Sequence, residues 1–257
     1  MTLIKDFVKT VIAAFVLAFL ACFAAASAYA LPVVDEVQTT PGPARKAYCP
    51  HCHAVKLIAT IASGNTIGAK MWSDMKSEAP MMPKASYVQK CEACGKYFTL
   101  AVWADYDAEP EYAEKGEHGT WGNLTYAEWT EAVAQFEADG TYDNDDEKAS
   151  VYINFLQTYN DEFFRGKEPK DPTEADKALF AEYVKKLAGI MPADKLSADP
   201  ALMLLEFYRE AAMWDEVAAF QPTVEKLVAT RNESFQKIYK LFADRIKARD
   251  TRVFELK

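Results

Sequence analysis

Histidine is scarce. His51, His53 and His118 are the only three in 257 residues, so a histidine-based catalytic site has almost nothing to draw on. Neither G-x-S-x-G nor H-E-x-x-H occurs, which removes the nucleophile elbow and the helix-borne zinc-protease pair. No run of Lys and Arg is present, so neither a basic arm nor a lipid-binding patch is indicated. The formal net charge is −9. An acidic chain repels phosphate backbones, and sequence-blind nucleic-acid binding is disfavoured. Outside the cysteine pairs no group of residues suggests an active site, and no catalytic residue is assigned.

What is present is apolar and aromatic. Half the residues are hydrophobic and 13% are aromatic, enough for a packed core in one or two domains. The N-terminus carries the first motif. Lys5 and Lys9 precede an unbroken apolar run from Val11 to Ala26, and Ala28-Tyr29-Ala30 has the small-residue form of a signal-peptidase site. Residues 1–30 are expected to be a signal peptide, with the mature chain starting at Leu31. The alternative is an uncleaved anchor. From Val11 to Leu31 only Ser27 is not apolar, close to the ~20 residues that span a bilayer. Either reading makes the protein exported, periplasmic or extracellular, with membrane contact only if the segment is retained. Removing residues 1–30 takes away Lys5, Asp6 and Lys9, a net +1, and leaves −10. Of the five cysteines, Cys22 lies in the apolar run and four remain in the mature chain.

The rest of the chain reads as α+β, a small β-rich unit followed by an all-α domain. Residues 31–46, with Pro32, Pro41, Gly42 and Pro43, form a tether. Residues 47–104 are the cysteine unit. There Val55, Leu57, Ala59 and Ile61 alternate as a strand stopped by Ser63-Gly64-Asn65, and Tyr87–Lys90 and Tyr97–Trp103 are rich in strand formers. Residues 105–123, acidic and broken by Pro110, Gly116, Gly119 and Gly122, are a linker or a long excursion. Residues 124–257 are helical and carry their own apolar faces, so they are expected to fold without the head. Thr125-x-x-Glu128 is a capping box ahead of Trp129, Val133 and Phe136, and Gly140 ends that helix. A stripe of Val151, Phe155, Tyr159 and Phe163 follows, and Thr173-x-x-Asp176 can cap a third helix. Pro200 can start a fourth. Trp214 opens a further helix that Pro222 is expected to close, and Phe235 to Ile246 mark the last. Asp161 and Arg165 stand at i, i+4, the spacing of an exposed surface pair. Asp143 to Glu147 lacks calcium-loop spacing and reads as a solvated turn and helix start.

Cys49-Pro50-His51-Cys52 and Cys91-Glu92-Ala93-Cys94-Gly95 are two C-x-x-C knuckles. In such a turn two thiolates approach one ion while backbone N–H groups donate to the sulfurs. Gly95 suits the positive φ that the turn needs. Together Cys49, Cys52, Cys91 and Cys94 make a four-thiolate set for one structural zinc, a closed tetrahedral site with no place for water. A unit this small buries little core, so the metal would supply its stability, about 10–16 kcal/mol for small zinc units. The 38 residues between the pairs exceed the usual ~15–20. An insertion between two hairpins, from Gly64-Asn65 to Met82-Pro83, accommodates the excess. His53 could replace one cysteine as ligand, although four cysteines leave it no vacancy. Two alternatives stay open, because exported thiols form disulfides. One is a pair of structural disulfides. The other is a thiol–disulfide oxidoreductase using the Cys-Pro-His-Cys pair. Against the second, only about 18 mature residues precede Cys49, too few for the βαβ start of a thioredoxin-like fold, and the segment after Cys52 reads as a strand.

Several stretches resemble an uncharacterised bacterial family. These are Tyr48-Cys49-Pro50-His51-Cys52, Ser63 to Ala69, Trp72-Ser73-Asp74, Ala79 to Pro83 and Lys90 to Gly95 in the head. Tyr159-Asn160-Asp161 with Arg165, Leu205 to Ala211 and Asp250 to Leu256 continue the resemblance through the tail. The family implies a zinc-ribbon head, a helical tail similar to tetratricopeptide repeats, and no known activity. His53 departs from it at a position where a knuckle glycine is common, and the export signal is a second departure. Tyr208 to Ala219 is similar to one tetratricopeptide hairpin. A partner of unknown identity, a protein, could dock on Tyr208, Trp214 and Phe220, which at helical spacing equally suit a core.

Overall fold

The computed structural model describes residues 39–100, 110–140, 142–166 and 168–256. The apolar run, the Ala28-Tyr29-Ala30 site and residues 31–38 of the expected tether lie outside them. Thr39–Lys257 form one compact unit. Small antiparallel sheets make its first part and six α-helices, among the described residues, its second.

Two hairpins carry the cysteines. Strand β2 (Arg45–Tyr48) pairs with β3 (Val55–Ile58), and β7 (Val88–Lys90) with β8 (Tyr97–Thr99). The β2 strand begins inside the expected tether, whose Thr40–Pro41 (β1) also pairs with β4 (Ile61–Ser63). The expected single strand from Val55 to Ile61 is thus two strands with different partners. Its buried face also differs from the alternation. Ile58 is fully buried while Val55 is exposed, because Ile58 packs among Ala47, Cys49, Cys91, Phe98 and Leu100; Thr120 of the 110–122 segment bridges to its backbone at the strand edge. The segment is therefore an excursion laid on the sheet. Ala59 N–H donates to Thr120 O (2.9 Å) and Thr120 N–H to Leu57 O (3.0 Å). Gly119 permits this approach: a Cβ there would stand 2.4 Å from the Ile58 backbone.

The insertion between the knuckles is structured. Its strand β5 (Lys70–Trp72) lies between β6 (Ser77–Glu78) and the C-terminal β9 (Glu255–Leu256). A three-stranded sheet therefore joins the middle of the head to the end of the chain.

The helices follow local signals closely. In α1 (Tyr126–Asp139) Thr125 and Glu128 form the capping box, Gly140 is the C-cap, and Trp129, Ala132, Val133 and Phe136 are buried. Asn144 caps α2 (Asp145–Asn160), whose acidic first turn suits a helix N-terminus. The helix ends in one π-helical turn, Asp161–Arg165. Thr173 and Asp176 cap α3 (Glu174–Ile190). Then come α4 (Ala198–Glu210), α5 (Trp214–Ala229) and α6 (Glu233–Ala248). Pro222 does not close α5, which runs through it. The helix loses one N–H donor there, and burial of Val217, Phe220, Val224 and Val228 along one face holds it together. Successive helices pack on one another from α1 to α6. Their core also takes in Val88 and Tyr97 of the second hairpin.

The Asp161–Arg165 pair is not a surface pair. The Arg165 side chain is 2% exposed, and its Nη1 donates to both oxygens of Asp74, at 2.8 and 2.7 Å, in addition to the Asp161 bond. Asp74 is 91 residues away in sequence, so helical spacing alone could not reveal it.

Candidate metal centre

The two knuckles are copies in geometry. Each fills six residues between paired strand ends, Tyr48↔Val55 and Lys90↔Tyr97. Cys49 N–H donates to Ala54 O (3.0 Å) and Cys91 N–H to Lys96 O (2.8 Å); His53 N–H donates to Cys49 O and Gly95 N–H to Cys91 O, both 2.8 Å. His53 and Gly95 occupy the same left-handed conformation, φ 59° and 74°. The first cysteine of each knuckle is buried and the second exposed. The N–H groups of His51 and Cys52 donate to the Cys49 sulfur, those of Ala93 and Cys94 to the Cys91 sulfur.

Facing each other, the knuckles bring four sulfurs within 4.8 Å, a group able to hold one metal ion. The close approaches run across the knuckles: Cys49 to Cys94 at 3.7 Å and Cys52 to Cys91 at 3.6 Å. Burial raises the Cys49 thiol pKa against its N–H donors. For Cys52 the Ala54 N–H acts downward, but desolvation and the three neighbouring thiols push it up to about 12. For Cys91 burial acts upward, and the Cys94 and Ala93 N–H groups with the Cys52 and Cys94 thiols outweigh it, bringing it down to about 7. The Cys91 thiol is thus lowered while Cys49 and Cys52 are raised, as like charges this close require.

The histidines stay outside the sulfur group. His51 Nε2 lies 3.2 Å from Tyr97 O, His53 is exposed, and His118 lines a cavity of about 290 Å³ that also touches Cys49 and Cys91. Trp214 and Tyr208 are half-buried, while Phe220 is part of the core.

A second polar group escaped the sequence reading. Asp74, Asn160, Glu206 and Arg209 are fully buried, and Glu210 nearly so. Asn160 Nδ2 donates to Asp74 Oδ2 (2.9 Å) and Glu210 Oε2 (3.0 Å). Arg209 holds Glu206 through Nε (2.7 Å) and Nη2 (2.6 Å), and reaches the carbonyls of Asp250 and Arg252. The signal was present in another form: all five residues stand in the stretches that carry the family resemblance. Near this group a cleft of about 770 Å³ opens between residues 75–87, the Asn123–Tyr126 turn and the end of α2, with the Lys76–Asp161 pair on its wall.

The chain matches no protein-family model, no curated protein and no solved structure. Of the expected family features, the structure shows the four-cysteine cluster, a possible metal site, and the helical second part.

Proposed function

We propose that Cys49, Cys52, Cys91 and Cys94 hold one zinc ion in a closed structural site, and that the chain is an exported, non-enzymatic zinc-ribbon protein whose helices bind a protein partner. The sulfur spacing carries the metal reading. A tetrahedral zinc with Zn–S bonds of about 2.3 Å separates its sulfurs by about 3.8 Å, and the two cross-knuckle distances are 3.7 and 3.6 Å. A disulfide needs about 2.05 Å. Four protein ligands leave no open position, so such an ion builds structure and performs no chemistry.

The oxidoreductase alternative is less well supported. A redox pair needs only the two sulfurs of one knuckle, whereas here all four lie within 4.8 Å of one another and each has a close neighbour in the other knuckle. The two readings predict different mutants. With zinc, Cys91→Ser disrupts the head as severely as Cys49→Ser, and chelator unfolds it. With a redox pair, Cys91→Ser is tolerated and Cys49→Ser abolishes exchange with a small disulfide. Circular dichroism with a thiol-exchange assay on both variants separates them, and a folded, zinc-binding Cys91→Ser protein would contradict the proposal.

Export rests on Lys5, Lys9, the apolar run and Ala28-Tyr29-Ala30. N-terminal sequencing of native protein should find Leu31 first, and cytosolic protein would overturn this part. The partner surface is proposed on the α4–α5 hairpin, the unit similar to a tetratricopeptide repeat, with Tyr208 and Trp214 as its aromatic residues.

A further inference from the structure

Two buried oxygens in the second polar group have no hydrogen-bond partner among the described residues: Glu210 Oε1 and Asn160 Oδ1. Buried acceptors left unpaired are costly. These two belong to groups already joined through Asn160 Nδ2 and Glu210 Oε2 at 3.0 Å.

The surroundings decide what could join the orphans. Arg165 donates to both Asp74 oxygens, so both act as acceptors. Only an N–H of Asn160 can approach Asp74 at 2.9 Å, which fixes the amide with Nδ2 between Asp74 and Glu210. Both guanidiniums are committed. Arg165 serves Asp74 and Asp161, and Arg209 serves Glu206 and two carbonyls. Arg209 Nη2 is 3.8 Å from Glu210 Oε1, beyond hydrogen-bond reach. Three buried carboxyls, Asp74, Glu206 and Glu210, thus face two buried cations. Among the described residues, the carboxyls here do not form a cluster of three or more acidic, His or Cys ligand atoms, as the cysteines do.

We propose that Glu210 carries a structural proton on Oε1, donated to Asn160 Oδ1, and that its loss at alkaline pH loosens the clasp between the Ser73–Asp74 segment, α4 and the C-terminal strand. The proton pairs both orphans, whose groups already meet through Asn160 Nδ2 and Glu210 Oε2. The groups that act on Glu210 directly are Asp74 after β5, Tyr159 and Asn160 on α2, and Glu206 and Arg209 on α4; Arg165 and Asp161 on the π-turn act through Asp74, and Asp250 before β9 through Arg209. Burial, then repulsion from Glu206 and Asp74, raises the Glu210 pKa well above the ordinary range, against the opposing pull of Arg209 and Asn160. The direction of the pH effect follows. The unfolded carboxyl titrates at ~4.3, so the contribution is complete below that pH and is lost as pH rises through the folded-state value.

The test uses the full-length, metal-loaded protein and Glu210→Gln, whose amide can donate to Asn160 Oδ1 as the acid does. Infrared difference spectra between the two at neutral pH should contain one protonated-carboxyl C=O band, which vanishes on alkaline titration of the wild type. Between about pH 6 and about pH 9 the wild-type unfolding midpoint should fall relative to that of Glu210→Gln. A neutral-pH spectrum without the band, or midpoints that run parallel with pH, would overturn the proposal. Should Glu210→Gln not fold, the wild-type band and its alkaline loss decide alone.

Discussion

His53 holds a conformation that suits its counterpart Gly95 better. Both backbones are left-handed, and a side chain there costs about 1–2 kcal/mol relative to an ordinary conformation. The turn tolerates this because the His53 N–H to Cys49 O bond and the sulfur site fix it. His53→Gly should therefore stabilise the protein by about 1 kcal/mol, less the added freedom of glycine in the unfolded chain. Denaturant midpoints of the metal-loaded protein measure this, and a loss of stability would mean that the imidazole itself contributes. Asp74 is the opposite case. Its removal leaves Arg165 buried without its main partner, and Asp74→Ala should cost about 3–5 kcal/mol. A cost below about 1 kcal/mol in the same assay would show that water reaches the guanidinium. The cysteines were legible from spacing because a knuckle is a local motif. The Asp74–Arg165 pair was not, since neither residue's sequence neighbours announce a partner so far away.

At the scale of elements the same distinction holds. The capping boxes at Thr125 and Thr173 formed as expected because every atom involved lies within four residues. Pro222 misled because the apolar face of α5 outweighs one missing donor. The face of β3 misled because Ile58 packs on Cys91, Phe98 and Leu100, which come from the second knuckle and its hairpin. The C-terminal strand had no local signature at all. Its role is set by partners: β9 pairs with β5, Phe254 O accepts from Ser73 N–H (2.8 Å), and Arg209 holds the Asp250 and Arg252 carbonyls. Deleting residues 250–257 should therefore destabilise the whole protein, by about 3–6 kcal/mol from the two hydrogen bonds of Arg209 alone at about 1.5–3 each. Thermal or denaturant melts test this, and an unchanged midpoint would make the strand ornamental.

Across the whole molecule the cysteine unit and the helices share a boundary that is packed. Tyr97 and Val88 of the second hairpin lie in the helical core. Gln135 of α1 brackets the Tyr97 backbone, accepting from its N–H (2.9 Å) and donating to its O (3.0 Å), and the Tyr97 hydroxyl donates to Glu131 (2.7 Å). The metal proposed at the tip of that hairpin would stiffen a strand on which α1 rests, so its removal should be felt beyond the knuckles. Metal analysis of purified mature protein, combined with X-ray absorption at the zinc edge, tests the central claim most directly. The account predicts about one zinc per chain with four sulfur neighbours at about 2.3 Å and no disulfide. Metal-free protein with two disulfides, stable to chelator, would contradict it.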